Sequence, residues 1–490
     1  MERLLRRLLA SSVAYQAASV VSAVLALGTL PLYTSVLTTA QFGLAETLLT
    51  YIILFSILLR AGLGEALVRM WFHDEDPQRR RRLARTASGT VLLATTTTAL
   101  LALVFAGPLS RLLLGVDDAT LLGLGVLGLW AFTNLEVAYA LLRVEERRRT
   151  YLRASLANVV LTVTLMIVLV VVLDGGARGY VAGNYVASSV VLLGLWWSLR
   201  DRIGLRPRAG LLPAMLRFGA PTIPADASIF ALNVIDRAYL LRVDSPSAAG
   251  LYAVAVKLAT VVIVAVRAFQ LAWPPLTYSI ADEGEARRFY AAVTTWYVVA
   301  AGIVVAALTL LGRWIVALLT ADPSYLDAHE ALPFVALGWS LYGLVLVLTS
   351  IAGRAHATVR LLPATLAGLA LNVALLVALV GPLGAAGAGI ALCGAYLAML
   401  VVLHLLTRRL LAVPFERGRL AIVVSICACV TVVGELALPT EGAAGFATRA
   451  AALAAIPLLL LVLRLPRPEE LAGARGLLAR PKSRKGPSRS

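Results

Sequence analysis

Charge is what this 490-residue chain has least of: Asp, Glu, Lys and Arg make up 14% of it, against 60% hydrophobic residues. A water-soluble domain carries about 25% charge. With a mean hydropathy of +0.86, the composition therefore excludes a soluble globular fold. Cysteine is nearly absent, and Cys393, Cys427 and Cys429 all fall inside apolar runs. The Cys-x-Cys at 427–429 has no companion ligands, and the four His are scattered. Small buried hydrophobes are expected there, not a metal or redox centre. No phosphate-cradling loop, no nucleophile beside a base and no paired external carboxylates stand out. The energy source is then an ion gradient or the substrate's own gradient, and an enzyme is not expected.

What the chain does have is apolar runs, about fourteen of them, each near the ~20 residues that cross ~30 Å of hydrocarbon. They fall at roughly 11–32, 42–68, 86–107, 119–142, 154–173, 179–199, 214–240, 248–279, 290–312, 331–352, 361–380, 385–406, 419–437 and 446–464. Residues 1–7 are basic, but the following run is too long for a signal-peptide core and reads as the first span. Thirty-five of the 44 Lys/Arg lie at the N-terminus, in even-numbered connections or in the tail. Only Arg111, Arg178, Arg242 and Arg313 fall in odd-numbered ones. This positive-inside pattern predicts both termini in the cytoplasm. The formal charge of +17 sits in short loops beside spans, so orientation and anionic lipid account for it and a nucleic-acid partner does not.

A repeat organises the spans. Shifted by 207 residues, QFGLA (41–45) lies on AAGLY (248–252), Thr50 on Lys257 and Arg60 on Arg267. At 208, Gly179 lies on Gly387. An even number of spans per copy makes the repeat parallel, about an axis along the membrane normal. The expected fold is an all-α polytopic membrane protein of about fourteen helices: two pseudo-symmetric six-helix lobes around a central cavity, plus a C-terminal helix pair. The expected parts are a first lobe at 1–200, a second at 201–410, an extra hairpin at 411–465 and a basic, disordered cytoplasmic tail at 466–490. With the pathway inside one chain, a monomer is expected.

The five remaining cations, Arg60, Arg237, Lys257, Arg267 and Arg449, sit in or at the ends of apolar runs. Glu46, Thr50, Ile53, Ile57 and Arg60 form one helical stripe, and Lys257, Thr260, Val264 and Arg267 another. Each mid-bilayer charge costs about 2.5–3.5 kcal/mol, so it should face protein or water. A cavity lined by Arg60, Lys257 and Arg267, with Arg237 at its exit, suits an anion, since arginine's fork matches phosphate oxygens. The alternative is that these cations pair with Glu46, Glu65 or Glu136, or snorkel to the interface. Pro221 and Pro224 interrupt the start of the seventh span, with Asp226 behind them, as a gate or as an ordinary helix start. Asp236 and Arg237 either pair within the lobe or flank an exit. Asn158 and Asn372 are expected to bridge helices. Pro274 and Pro275 should kink the eighth span.

Several segments resemble a known family. FGAP (218–221) and NVIDRAYL (233–240) resemble an FGxP…NxxDRxxL pattern; AGLYAVAVKLA (249–259) and FQLAWPP (269–275) continue it. QFGL (41–44) and GLGEALVR (62–69) match in the first half. The chain thus resembles the MATE-like superfamily and, within it, Wzx-type polysaccharide-transporter flippases. The resemblance implies alternating-access movement of a polyprenyl-diphosphate-linked oligosaccharide from the inner to the outer leaflet of a bacterial cytoplasmic membrane. Glycosyltransferases or a polymerase of the same pathway are the protein partners it implies. Na⁺ or H⁺ coupling is implied for the superfamily, with Asp226, Glu46 and Glu136 the candidate carboxylates; no other cofactor is expected. A lipid II flippase and a cation-coupled multidrug exporter remain alternatives. A membrane-embedded glycan polymerase or glycosyltransferase would need the 313–330 loop and its Asp322 and Asp327.

Overall fold

The computed structural model describes residues 21, 23–73, 76–204, 210–355, 357–463 and 465. The side chains of 73, 222, 224–226, 228, 229, 233, 275 and 358 lie outside that description, as do most of the expected first span and the 466–490 tail. Among the described residues every regular element is helical. In the first half these are α1 (Thr39–Arg60), α2 (Leu63–His73), α3 (Pro77–Val104), α4 (Ala119–Val144), α5 (Arg148–Met166) and α6 (Gly176–Ser198). The second half has α7 (Leu212–Gly219), α8 (Ile223–Tyr239), α9 (Pro246–Leu258), α10 (Thr260–Ser279), α11 (Glu283–Leu310), α12 (Ala328–Arg354) and α13 (Leu361–Thr407). Then come α14 (Arg417–Ala437) and α15 (Gly442–Val462).

The repeat is visible in how the helices begin. Thr38 opens α1 with a capping box, accepting the Gln41 N–H at 3.2 Å while its own N–H donates to Gln41 Oε1 at 3.1 Å. Ser245, 207 residues on, caps α9 by accepting the Ala248 N–H at 3.1 Å, with Pro246 in the first turn. Gly43 and Gly250 share that spacing and let the two backbones touch. A Cβ on Gly43 would lie 2.0 Å from Pro246 O, and one on Gly250 2.0 Å from Thr39 O. Thr39 Oγ1 donates to Ser247 Oγ at 3.1 Å beside them. Contact between equivalent residues is what a two-fold-like axis between the halves demands. The later turns show a parallel too: Gly176 (φ +55°) and Gly384 (φ +51°), 208 residues apart, both take a positive φ that favours glycine.

Eleven described helices are long and apolar enough to cross a membrane. They do not add up to the expected fourteen, for identifiable reasons. α13, 47 residues long, holds two spans divided at Gly384. The seventh span is built from α7, a 3₁₀ segment Ala220–Thr222 and the 17-residue α8. Pro221 sits in that segment, where an interruption was expected. The second span, expected unbroken over 42–68, ends its first helix at Arg60 because Ala61 and Gly62 both turn left-handed. The eighth, expected over 248–279, divides between Leu258 and Thr260. α10 then runs on through Pro274, where a kink was expected.

Packing divides the chain into two compact units: Met1–Glu283 with Gly312–Ala412, and Gly284–Leu311 with Val413–Ser490. In the first, Leu67, Leu83, Leu142 and Leu192 form a buried core that Met215 of α7 joins. In the second, α11 packs with α14 and α15 through Val299, Ala306, Val423, Cys427, Ile456 and Leu460. Packing thus groups α11 with the C-terminal pair, a grouping that the repeat offset does not encode. Arg449 is the polar fastener of this unit. It is buried and donates to Glu435 Oε1 at 2.6 Å, Pro439 O at 3.0 Å and Leu310 O at 3.3 Å, so its charge is met inside the protein.

The glycine contact gives a direct test. Gly250→Val should destabilise the protein by about 1–3 kcal/mol through overpacking at the α1/α9 crossing. Gly64→Ala, where a Cβ meets nothing within 4 Å, should not lower the melting temperature. Thermal unfolding of purified protein in detergent reads both; equal melting of Gly250→Val and wild type would contradict the contact.

Candidate functional site

α1 and α9 begin side by side, and side chains from the two meet about 10 Å into α1 and about 16 Å into α9. There Glu46 of α1 is buried. Its Oε1 accepts from Lys257 Nζ of α9 at 2.8 Å and from Tyr180 Oη of α6 at 2.7 Å. Its Oε2 lies 3.5 Å from an Arg237 guanidinium nitrogen of α8. The same nitrogen donates to Thr50 Oγ1 at 2.5 Å, and Thr50 in turn donates to Glu46 O at 2.7 Å. Lys257 Nζ also stands 5.7 Å from the Phe42 ring and 6.0 Å from the Tyr180 ring, which face its remaining sides with π density. Two cations from the second half are thus gathered on one carboxylate of the first.

Successive residues on a helix point about 100° apart, and α8 uses this to serve two networks. Arg237 reaches the first half, while Asp236 turns into the second. Asp236 is fully buried and accepts from Tyr252 Oη at 2.8 Å and from Asn372 Nδ2 at 3.1 Å. No cation lies within ion-pair reach of it among the described residues, and Asn372 Oδ1 is buried without a partner.

The structure therefore brings together Lys257, Arg237 and Glu46, which the sequence placed on separate elements. Arg60 is not mid-span; it ends α1, where helix carbonyls favour a cation. It donates to Ser56 O at 3.3 Å and lies 3.5 Å from Glu136 of α4, both side chains 27% exposed. Its partner is in its own half. Arg267 is exposed on α10. Pairing, the alternative weighed for these cations, is the arrangement of Arg60, Arg237 and Lys257. Pro274 lies on α10; the side chains of Pro224, Asp226 and Pro275 are outside the described residues. Asn372 bridges helices as expected, whereas Asn158 Oδ1 is buried without a partner.

In the 313–330 loop, Asp322 has structural work. Asp322 accepts the Ser324 N–H at 2.7 Å, which holds its carboxyl below the usual range, and caps the turn Pro323–Tyr325. Asp327 sits at the cap of α12. Tyr325 Oη donates to Leu37 O at 2.8 Å, tying this loop to the chain just before α1.

Thr50, Tyr180 and Tyr252 escaped sequence reasoning as site residues. The signal was present for two of them: Thr50 aligns with Lys257 in the repeat, and Tyr252 belongs to the AGLY stretch. Nothing local marked Tyr180.

A family model described as "Polysaccharide biosynthesis protein" matches residues 8–281. No curated protein matches the sequence. Among solved structures, the chain is similar to the lipid II flippase MurJ in an inward closed conformation, at TM-score 0.72 and 12% identity over 94% of this chain and 98% of that one. It is also similar to an inward-facing multidrug resistance MATE family transporter of the MOP superfamily, at 0.67 and 17% over 80% and 94%. An outward-facing transporter of that description matches at 0.59 and 18% over 83% and 96%. These likenesses show a shared fold.

The two acidic residues should differ sharply in weight. Glu46→Ala takes the buried carboxylate from two partly buried cations and should cost about 3–5 kcal/mol. Glu136→Ala breaks a half-exposed pair and should cost about 0–1 kcal/mol. Thermal unfolding in nanodiscs distinguishes them; equal losses would mean that the Glu46 cluster is not what holds α1, α8 and α9 together.

Proposed function

We propose, from the premise that this multi-pass membrane protein belongs to the polysaccharide biosynthesis protein family, that it flips a polyprenyl-diphosphate-linked oligosaccharide across the cytoplasmic membrane. The observation that carries the reading is the meeting of Arg237 and Lys257 between the repeated halves, with one carboxylate for two cations. Exposed Arg267 adds to the excess of positive charge, which favours an anionic head group. A diphosphate offers several oxygens to a guanidinium fork and an ammonium. The glycan fills a wet cavity between the lobes and the prenyl tail stays in lipid. The positive-inside pattern favours both termini in the cytoplasm, and the family resemblance implies movement from the inner to the outer leaflet. Enzymes that assemble or polymerise the glycan are the protein partners this implies. A lipid II flippase uses the same head-group chemistry and is the second reading.

Ion coupling is assigned to a further carboxylate, Asp236; among the carboxylates the sequence favoured, the side chain of Asp226 lies outside the described residues. Glu46 and Glu136 are engaged by cations, whereas Asp236 is buried with only neutral hydrogen-bond donors. A carboxylate in that setting changes its charge, or takes up Na⁺, at a large energetic difference between states.

Binding is tested by thermal stabilisation in nanodiscs with an undecaprenyl-diphosphate oligosaccharide and with a lipophilic cationic drug. The lipid-linked sugar should stabilise wild type and lose its effect in Lys257→Ala/Arg267→Ala. Stabilisation by the drug alone would instead support a multidrug exporter. Asp236→Asn should retain binding but abolish the dependence of transport on an imposed Na⁺ or proton gradient; unchanged gradient dependence in proteoliposomes would remove Asp236 from coupling.

A further inference from the structure

The contacts that join α1 to α8 and α9 gather at one end of those helices. Thr39 meets Ser247, Gly43 meets Gly250, Glu46 meets Lys257 and Arg237, and Thr50 meets Arg237. Beyond Thr50 the pattern changes. Arg60 turns to Glu136 in its own half, and its repeat equivalent Arg267 is exposed. Where the halves touch near Gly62, a Cβ on Gly62 would lie 2.0 Å from Gly219 O, Met215 joins the apolar core of the first half, and the Arg69 guanidinium stands 4.6 Å from the Phe218 ring. Among the described residues, the ion pairs between the halves are thus confined to the end closed by Thr39 and Ser247.

Glu46 occupies there the position an anionic ligand would need. Both its oxygens face cations of the opposite half, and Tyr180 donates to its Oε1 from its own half. A carboxylate carries one negative charge for two cations. A diphosphate carries more charge and more acceptor oxygens, and fits the arginine fork at least as well. Once it takes Arg237 and Lys257, Glu46 becomes an unpaired, like-charged neighbour of the ligand in a low-dielectric site, and its two ion pairs across the halves are gone.

We infer that Glu46 is a built-in surrogate anion that latches the Thr39/Ser247 end shut, and that only an anionic head group able to claim both Arg237 and Lys257 releases it. The latch rests on the proposed function and deepens it. Glu46 becomes a specificity-determining residue, because a neutral or cationic amphiphile cannot displace it however well it binds. A ligand moves such an equilibrium only through its differential interaction with the two states.

The test uses the full chain in nanodiscs, with Cys393, Cys427 and Cys429 replaced by Ala and with Thr39→Cys and Ser247→Cys introduced. Oxidative cross-linking of the pair reports closure of that end, and geranylgeranyl diphosphate, with geranylgeraniol as control, is the probe. The diphosphate should slow cross-linking at least about fivefold, the lower end of ordinary coupling, while the alcohol changes nothing. Glu46→Gln should cross-link slowly without ligand, and the diphosphate should add no further effect. Should that variant fail to fold, Glu46→Gln/Lys257→Gln removes the pair together; its cross-linking should no longer respond to the diphosphate. A diphosphate response of wild-type size in either variant overturns the latch. If the diphosphate stabilises wild type thermally yet leaves its cross-linking rate unchanged, the latch falls and the proposed function stands. If the diphosphate does not stabilise wild type at all, the anionic-lipid reading falls and the latch with it.

Discussion

A charge inside a bilayer must be met by protein or water, and this protein meets two of its cations with one carboxylate belonging to the opposite half. The Glu46–Lys257–Arg237 cluster ties α1 to α8 and α9, and those helices cannot part at that point without uncovering charge. Stranding either side is expensive, of the order of 3–5 kcal/mol, so the cluster must either persist or be exchanged for another ion pair. Exchange for a ligand is the alternative that makes the arrangement useful to a transporter.

The cluster exists because two helices approach unusually closely. Hydroxyl caps at Thr38 and Ser245 start α1 and α9 at equivalent points, and Gly43 and Gly250 remove the side chains that would hold the backbones apart. The positive-φ glycines at 176 and 384, 208 residues apart, sit at equivalent points of the later hairpins. In the second compact unit, Arg449 shows the other way to tolerate a buried cation: a carboxylate and several helix-end carbonyls around one guanidinium. That arrangement is saturated and local, and it carries no exchangeable partner between the halves.

Much of this was legible in the sequence. Hydropathy and arginine placement gave the all-helical membrane class, and the 207-residue offset pointed to residues that prove to touch. The intramembrane cations were identifiable as a set because insertion makes them costly. Their partners were not, since a stripe analysis follows one helix and says nothing about what faces it from another. Glu46 and Lys257 looked like members of separate stripes, yet they form one ion pair. The break after Arg60 was hidden by an apolar Ala61 and was signalled only by Gly62, a residue type that favours a left-handed helix end. Asp236 and Arg237, adjacent in sequence, were expected to pair with groups in their lobe or to flank an exit, and helical geometry sends them to different networks, Arg237's in the opposite half. The grouping of α11 with α14 and α15 depends on packing between distant segments and leaves no periodic trace.

The most direct measurement is translocation itself. Wild-type protein would be reconstituted into proteoliposomes containing a fluorescent polyprenyl-diphosphate disaccharide, and external dithionite would report how much lipid reaches the outer leaflet over time. The account predicts that wild type moves this lipid and not a fluorescent phosphatidylcholine, and that Lys257→Met, which keeps the side chain's length without its charge, does not move it. Equal movement of both lipids by wild type, or undiminished movement of the diphosphate lipid by Lys257→Met, would contradict it.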